Sequence, residues 1–491
     1  MRSTVGASRD GRSAPHPAGP RRSGRLAQNL TVRLTVALAF ADASIVVLAL
    51  PQIVARLHAS ISGVTWVIMS YNIALIATAV AILLRGGRLA STRMLLAGLA
   101  LFGLASLGCG AANSMAALIP FRCAQGVGGA LVLCASLPMF ASTARAGDSP
   151  LIGWSAAAAI GVAVGPAAGG ILTQFFDWRS IFLAQAPVAA IAAALVSAVH
   201  VPVGTDGATD PAGDAAGSAG ARGARIGSLT ANAGLTLLSA GLIAALFLIV
   251  LELIDVWRLR PIAAAAIVTA IPLCTAIAER AVRGSSTAAL GAGGAVLVAA
   301  GLLGASLPTH RELGWVTVAL ALLGSGLGLA FPGLTTAALA GAEPASRRAA
   351  KTVAARDAGI LLGLLILTPV FVSQLHNAPN RALPAAARAV LTAPLPLLLK
   401  LSLIPGLEAD YHQAPQSELP DFGPTFARAS AAASPSERDA LGALHARLDA
   451  IVSRAAAGAF RLPLRYGALF ALAVLPLLGL SFARVRRAST V

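Results

Sequence analysis

The chain has 491 residues, of which 57% are hydrophobic and only 12% charged, and its net charge is +17. An ordinary soluble domain carries about 25% charged residues, so this composition excludes one and points to a chain that lies mostly in lipid. The positive charge does not mark a nucleic-acid binder, because the basic residues stand in small groups between apolar runs and not on one polar face with interleaved aromatics.

Residues 1–29 are polar and Arg-rich and read as a disordered cytoplasmic tail, with no cleavable leader expected. A bilayer core needs about 20 apolar residues at about 1.5 Å each. Twelve segments satisfy that, at about 32–54, 62–84, 93–112, 115–142, 151–173, 180–200, 230–254, 260–278, 287–307, 313–339, 354–375 and 464–483. Between the sixth and seventh, residues 201–229 lose all hydrophobic periodicity and fill with Gly, Ala, Asp and Ser, as a flexible cytoplasmic linker does. The expectation is an all-α integral membrane protein of 12 transmembrane helices in two six-helix bundles, 30–200 and 230–484. A faint echo between the halves supports it: Gly126, Gly128 and Gly129 precede Pro138 in the fourth span, and Gly324, Gly326 and Gly328 precede Pro332 in the tenth.

The basic residues orient the bundles. One side collects the tail arginines, Arg85, Arg88, Arg93, Arg145, Arg222, Arg225, Arg280, Arg283, Arg347, Arg348, Lys351, Arg356 and the basic end at Arg484, Arg486 and Arg487. The short loops opposite hold Arg56, Arg179, Arg258, Arg260 and Arg311. By the positive-inside rule both termini, including a tail at 485–491, face the cytoplasm. Residues 376–461 form one long excursion on the far side. Its apolar stretch 391–407, broken by Pro394, Pro396 and Pro405 and containing Lys400, reads as interfacial or packed on the bundle. Ser434-Pro435-Ser436-Glu437 is a capping box opening an amphipathic helix over about 435–459, read as a lid over the outer mouth.

Charges inside spans are costly, about 2.5–3.5 kcal/mol each at the bilayer centre on insertion scales, so those present mark function or a fixed pair. Asp42 in the first span and Arg122 in the fourth are the clear cases, and both should face the bundle interior. A low-dielectric site opposes charge on a carboxyl while a neighbouring guanidinium favours it, so a moving helix or substrate would switch the proton. A static pair that only fixes packing is the alternative. Arg356 and Asp357 stand at the inner end of the eleventh span, as a cytoplasmic anchor or gate with a substrate ligand as the alternative, and Glu252 and Asp255 near Arg258 and Arg260 suggest interfacial pairing. Trp66, Tyr71, Asn72 and Gln125 are pocket candidates, with Trp66 equally an interface anchor and Asn72 equally a helix–helix hydrogen bond. The four cysteines, Cys109, Cys123, Cys134 and Cys274, lie inside spans with no CxxC pair and read as core thiols, so no metal is expected. No P-loop, dinucleotide fingerprint, HExxH or catalytic triad is present, so neither ATP nor another cofactor is expected, and no enzymatic activity.

The strongest local signal is in the fifth span, where Gly161, Gly165 and Gly169 recur every fourth residue, Pro166 follows the second and Gly170 closes the run. Such a face lets a neighbouring backbone approach closely, and the proline permits a bend. The run resembles GxxxGPxxGG, the antiporter motif of drug/proton exporters in the major facilitator superfamily. Asp42-Ala43-Ser44-Ile45-Val46-Val47-Leu48-Ala49-Leu50-Pro51 is similar to the D-x-T-I-V-x-x-A-L-P signature of the EmrB/QacA-like branch, with Ser for Thr. Arg122-Cys123-Ala124-Gln125-Gly126 matches its R-x-x-Q-G, and Asp177-Trp178-Arg179-Ser180-Ile181-Phe182 its W-R-W-I-F turn. The loop Gly87-Arg88-Leu89-Ala90-Ser91-Thr92-Arg93 departs from the family pattern, with Ser91 where the family has an acid and a shortened segment. Gly87, Arg88 and Arg93 are the gate candidates there.

The resemblance implies a multi-pass protein of the cell (inner/plasma) membrane, a secondary transporter that effluxes small amphipathic or drug-like molecules by alternating access, driven by the proton gradient. Its partners would be a small-molecule substrate, protons and the bilayer. Transport of an endogenous lipid or metabolite in either direction is the second reading. A non-transporting scaffold or sensor using 376–461 is the third.

Overall fold

A computed structural model describes residues 22–85, 92–143, 150–199, 218–281, 287–308, 311–341, 343–413, 421–431 and 433–479. The described residues form helices and turns with no strand. Eleven helical runs are long and apolar enough to cross a membrane, and a shorter apolar helix, Ala289–Ala305, stands where the ninth crossing is expected.

The first crossing is built from α1 (Arg22–Ile45), a 3₁₀ turn (Val46–Ala49) and α2 (Leu50–Leu57). Pro51 causes the turn. It has no N–H to give the Val47 carbonyl, which accepts instead from the Leu50 N–H three residues on. The Asp42 signature thus ends in a local tightening of the helix. The rest of the first bundle is α3 (Ile61–Leu84), α4 (Thr92–Ala111), α5 (Met115–Thr143), α6 (Pro150–Phe175) and α7 (Arg179–Val199). The second comprises α8 (Ser218–Leu251), the pair α9 (Pro261–Val268) and α10 (Ala270–Ala281), α11 (Thr287–Ala305), α12 (Leu313–Ala338), α13 (Ala345–His376) and the far part of α17 (Pro435–Leu472).

The two halves repeat each other in packing as well as in helix count. A Cβ added at Gly161 would overlap the Ala37 carbonyl, where α6 crosses α1. In the second half Gly359 and Gly363 of α13 abut the Thr236 and Ala240 carbonyls of α8 in the same way. Gly126 and Gly324 likewise press on the Tyr71 and Ile271 carbonyls, and Gly128 and Gly326 on the Gly98 and Gly294 carbonyls. Gly324, Gly326, Gly359 and Gly363 follow Gly126, Gly128, Gly161 and Gly165 at one constant offset, so the echo in the sequence is a repeat in the structure.

Apolar packing joins the bundles at both ends. On the side of the excursion Gly170 of α6 meets Ala265 and Pro261 of α9. On the linker side Ala349, Ala350 and Val353 of α13 share a core with Leu75, Ala79 and Phe140 of the first bundle.

Four helices run further than expected, the first being α1, which begins at Arg22 inside the expected disordered tail. α8 begins at Ser218, inside the expected linker. α13 begins at Ala345, well before the apolar stretch, so Arg347, Arg348 and Lys351 are helical; Arg348 donates to the Leu339 carbonyl at 2.7 Å and Lys351 pairs with Glu343. The amphipathic helix of the excursion and the last crossing are a single rod, α17, because Pro463 removes one hydrogen bond without ending a helix packed on both sides of it.

The excursion is a small helical unit carried on the ends of α13 and α17. Its helices α14 (Ala378–Thr392), α15 (Leu397–Gln413) and α16 (Gly423–Ala431) enclose a core of their own with Leu441, Leu444 and Leu448 of α17. α15 packs on α16 through Leu403, while Leu397, Leu398 and Leu401 of its apolar stretch are exposed. At the start of α17, Glu437 Oε2 accepts from the Ser434 hydroxyl at 2.6 Å and from the Ser434 N–H at 2.8 Å. The Ser434 hydroxyl, then the Ser434 backbone, hold the Glu437 carboxyl below its ordinary value. A depressed carboxyl stabilises the cap above the ordinary glutamate range and loses that effect as pH falls through the folded value. Protection of the Ser436–Arg438 amides in hydrogen exchange should therefore drop on acidification in the wild type and become insensitive to acid in Glu437→Gln. An unchanged acid response in the variant would show that another group sets it.

Candidate functional site

Asp42 and Arg122, 80 residues apart, meet inside the first bundle. Arg122 Nη1 lies 2.9 Å from both Asp42 carboxylate oxygens and 2.7 Å from Gln125 Oε1, and Nε donates to the Val67 carbonyl at 2.9 Å. Asp42 is 0% exposed and Arg122 1%. The Arg122 guanidinium also lies 4.6 Å from the Tyr71 ring centroid and 5.6 Å from that of Phe182. A buried pair of this kind persists only when its other donors and acceptors are also met. The helices extend the network: Gln125 Nε2 donates to Ser106 Oγ at 2.8 Å and to Gln185 Oε1 at 2.9 Å, and Cys109 Sγ lies 3.7 Å from Gln125 Oε1, while Gln185 Nε2 has no partner. The network thus draws on α1, α3, α4, α5 and α7. Sequence reasoning does not single out Gln185 or Ser106; an amide within an apolar span is the signal that could have found Gln185.

The glycine motif supports Asp42 from the adjacent helix. Gly161 and Gly165 admit α1 at Ala37 and Ala41, on the turn before Asp42, and Gly169 faces Ile45 just after it. Gly170 faces the other bundle. Pro166 is buried inside α6 and leaves its helix one hydrogen bond short at this level. The Asp177–Phe182 turn is a clip: Arg179 stacks 4.6 Å over fully buried Trp178 and donates to the Ala112 carbonyl at 3.1 Å, tying α7 to the end of α4.

Of the pocket candidates, Tyr71, Asn72 and Gln125 are buried and Trp66 is not. Trp66 is 48% exposed and shares an outward face of α3 with Ile73 and Val80, a face suited to lipid. Asn72 Nδ2 donates back to Ile68 of its own helix, leaving Oδ1 without a partner, and Tyr71 Oη has none either. Among the gate candidates Gly87 and Arg88 lie outside the described residues, and Arg93 is exposed on the first turn of α4. The helix that carries Arg356 and Asp357 extends beyond them on the linker side. Because α13 starts at Ala345, Asp357 is about 18 Å along it at 1.5 Å per residue. Arg356 there lies 4.2 Å over the ring of Phe40, two residues from Asp42. Glu252 is buried in a π-helical turn, and its charged neighbour is Arg461 of α17, not the interfacial arginines. The cysteines are free thiols, and no cluster among the described residues suits a metal ion.

Two repeated bundles of apolar helices, the first holding a buried carboxylate–guanidinium pair, define a multi-pass membrane protein. The family model of the Major Facilitator Superfamily matches residues 33–379, and the chain belongs to that superfamily. It is 37% identical over 185 residues to the methylenomycin A resistance protein of Bacillus subtilis (strain 168), an overlap covering 35% of this chain and 38% of that one. It is 34% identical over 171 residues to the tetracenomycin C resistance and export protein of Streptomyces glaucescens, covering 34% and 32% respectively. The chain thus spans about a third of the length of the curated relatives it matches. Its fold is shared with a bacterial homologue of the human lysosomal transporter Spinster, crystallised inward-facing and unoccupied, at a TM-score of 0.58 and 14% identity over 94% of this chain and 99% of that one.

Proposed function

We propose that this protein is a proton-coupled secondary transporter that exports small amphipathic molecules, with Asp42 as proton carrier and Arg122 as the group that tunes it. The observation that carries the reading is the Asp42–Arg122 pair itself, shut away from solvent inside the first bundle with a single guanidinium to balance the carboxylate. When α1 moves along the glycine face of α6, or a substrate draws Arg122 aside, the carboxylate loses its compensating charge and a proton takes its place. No bond of the substrate is made or broken, so the activity is transport and not enzymatic, and the proton gradient is the only energy source required. Outward direction is supported by the names of the matched relatives, one a resistance protein and one a resistance and export protein.

The test is reconstitution of the full chain in liposomes with a fluorescent amphipathic dye and an imposed pH gradient. Dye movement should follow the gradient and stop when a protonophore collapses it. Movement at one rate with and without the gradient would refute coupling, and no protein-dependent movement of any dye or metabolite tested would favour the scaffold reading.

A further inference from the structure

The excursion carries an apolar face that no described residue covers. α14 and α16 pack on α17, and α15 crosses between them: Lys400 Nζ donates to the carbonyl of Leu391 in the last turn of α14 at 2.7 Å, and Gly406 abuts Thr425 of α16. Leu403 and Gly406 turn one side of α15 toward the core of the unit. The opposite side holds Leu397, Leu401 and Ile404, which are 70%, 53% and 45% exposed, and then the exposed Glu408. Steps of four, three and four residues align them in one stripe. A contiguous apolar face of this kind on a folded unit marks an interaction site.

The bilayer is too far away to cover it. Gly458 of α17 faces the Arg381 side chain at the start of α14, just outside the crossings expected at 354–375 and 464–483. From Gly458 to His445 is about 20 Å along α17 at about 1.5 Å per residue, and a tilt of about 20° leaves that height nearly unchanged. His445 stacks on Phe426, next to the Thr425 that Gly406 touches, so the middle of α15 stands at that level. The headgroup layer is only about 5–8 Å deep on each side. A second copy of the chain fits instead. Two chains in one membrane share orientation and height, so the face of one meets the same face of the other about a two-fold axis along the membrane normal. Because α15 runs across the unit, that axis pairs it with its copy antiparallel. Lys400 and Glu408 stand four residues to either side of Ile404, so pairing centred there sets the lysine of each chain against the glutamate of the other. Lys400 keeps donors to spare beyond the Leu391 carbonyl.

We propose that α15 is a dimerisation helix: two copies of the chain join antiparallel through Leu397, Leu401 and Ile404, clasped at both ends by Lys400 and Glu408 of the partner subunit. The proposal does not depend on the transporter reading. The full chain is reconstituted in liposomes at a low protein-to-lipid ratio and oxidised with copper phenanthroline. Ile404→Cys, on the axis, should cross-link to its own copy, and Ala446→Cys, exposed at the same level of α17, should not. The wild-type chain, with its cysteines inside the spans, gives the background. In detergent, the dimer dissociation constant from analytical ultracentrifugation should rise about tenfold in Lys400→Glu and in Glu408→Lys, because each reversal sets two like-charge contacts. Combining the two reversals should bring it back close to the wild-type value. Leu401→Ser should also weaken the dimer while leaving thermal unfolding of the monomer unchanged, since the side chain is exposed in the single chain.

A wild-type chain that stays monomeric, or a double reversal no tighter than the single ones, overturns the assignment. A dimer that keeps its full strength in Leu401→Ser uses another face and overturns it as well. So does an Ile404→Cys chain that fails to cross-link and whose fluorophore, attached at that position, is quenched by brominated lipid, because the stripe then lies in the bilayer.

Discussion

Asp42→Asn is expected to abolish gradient-driven transport and to destabilise the protein, and adding Arg122→Gln to the same chain is expected to restore stability alone. The asparagine keeps an acceptor for Arg122 but removes the charge, leaving a guanidinium that is 1% exposed with no anion beside it. Breaking a buried pair by removing one partner typically costs about 3–5 kcal/mol, whereas removing both charges is often close to neutral. The double variant leaves neutral groups among Gln125, Gln185 and Ser106, all of which can exchange hydrogen bonds with an amide. Thermal unfolding in one detergent should therefore rank the chains wild type, double, single, while proteoliposome assays rank both variants at background. A double variant that recovers gradient-driven transport would make the pair a packing device only. A single variant that unfolds at the wild-type temperature would show that Arg122 finds another anion.

The parts of this site that are legible in the sequence are those where a rule of the bilayer is broken. A charge in the middle of a long apolar run is conspicuous whatever its partner, and so Asp42 and Arg122 stand out from hydropathy alone. Their amide and hydroxyl neighbours do not, because single Ser and Gln residues are tolerated in many spans and nothing local says that Gln185 and Gln125, 60 residues apart, will meet. The depth of Asp357 is hidden for a different reason. Hydropathy marks where lipid begins, not where a helix begins, and the first turns of α13 are Ala-rich with Arg347, Arg348 and Lys351. Counting from the apolar stretch puts Asp357 near the surface, while counting from Ala345 puts it at the level of the central pair. Trp66 can be placed from periodicity, since positions 66, 73 and 80 repeat on one helical face and all three residues are apolar.

The second glycine crossing is inconspicuous in the sequence because only the first carries the full motif, and it gives the most direct test of the repeat. Gly359→Val should destabilise the protein as much as Gly161→Val does. In each case the first atom of the new side chain would overlap a backbone carbonyl, Thr236 in one crossing and Ala37 in the other. Overpacking typically costs about 1–3 kcal/mol when side chains can move aside, and a carbonyl in a neighbouring helix cannot, so both variants belong at or above the top of that range. Gly442→Ala is the contrast. It lies in α17 with nothing within 4 Å of its Cβ position, so the substitution should be neutral or stabilise by up to about 1 kcal/mol through helix propensity. The two crossings share no partner, one joining α1 to α6 and the other α8 to α13, and their effects should add to within about 0.5 kcal/mol in unfolding measurements. A Gly359→Val chain as stable as Gly442→Ala would mean that α8 and α13 can slide apart freely. In that case the match in offset between Gly161 and Gly359 would reflect sequence alone.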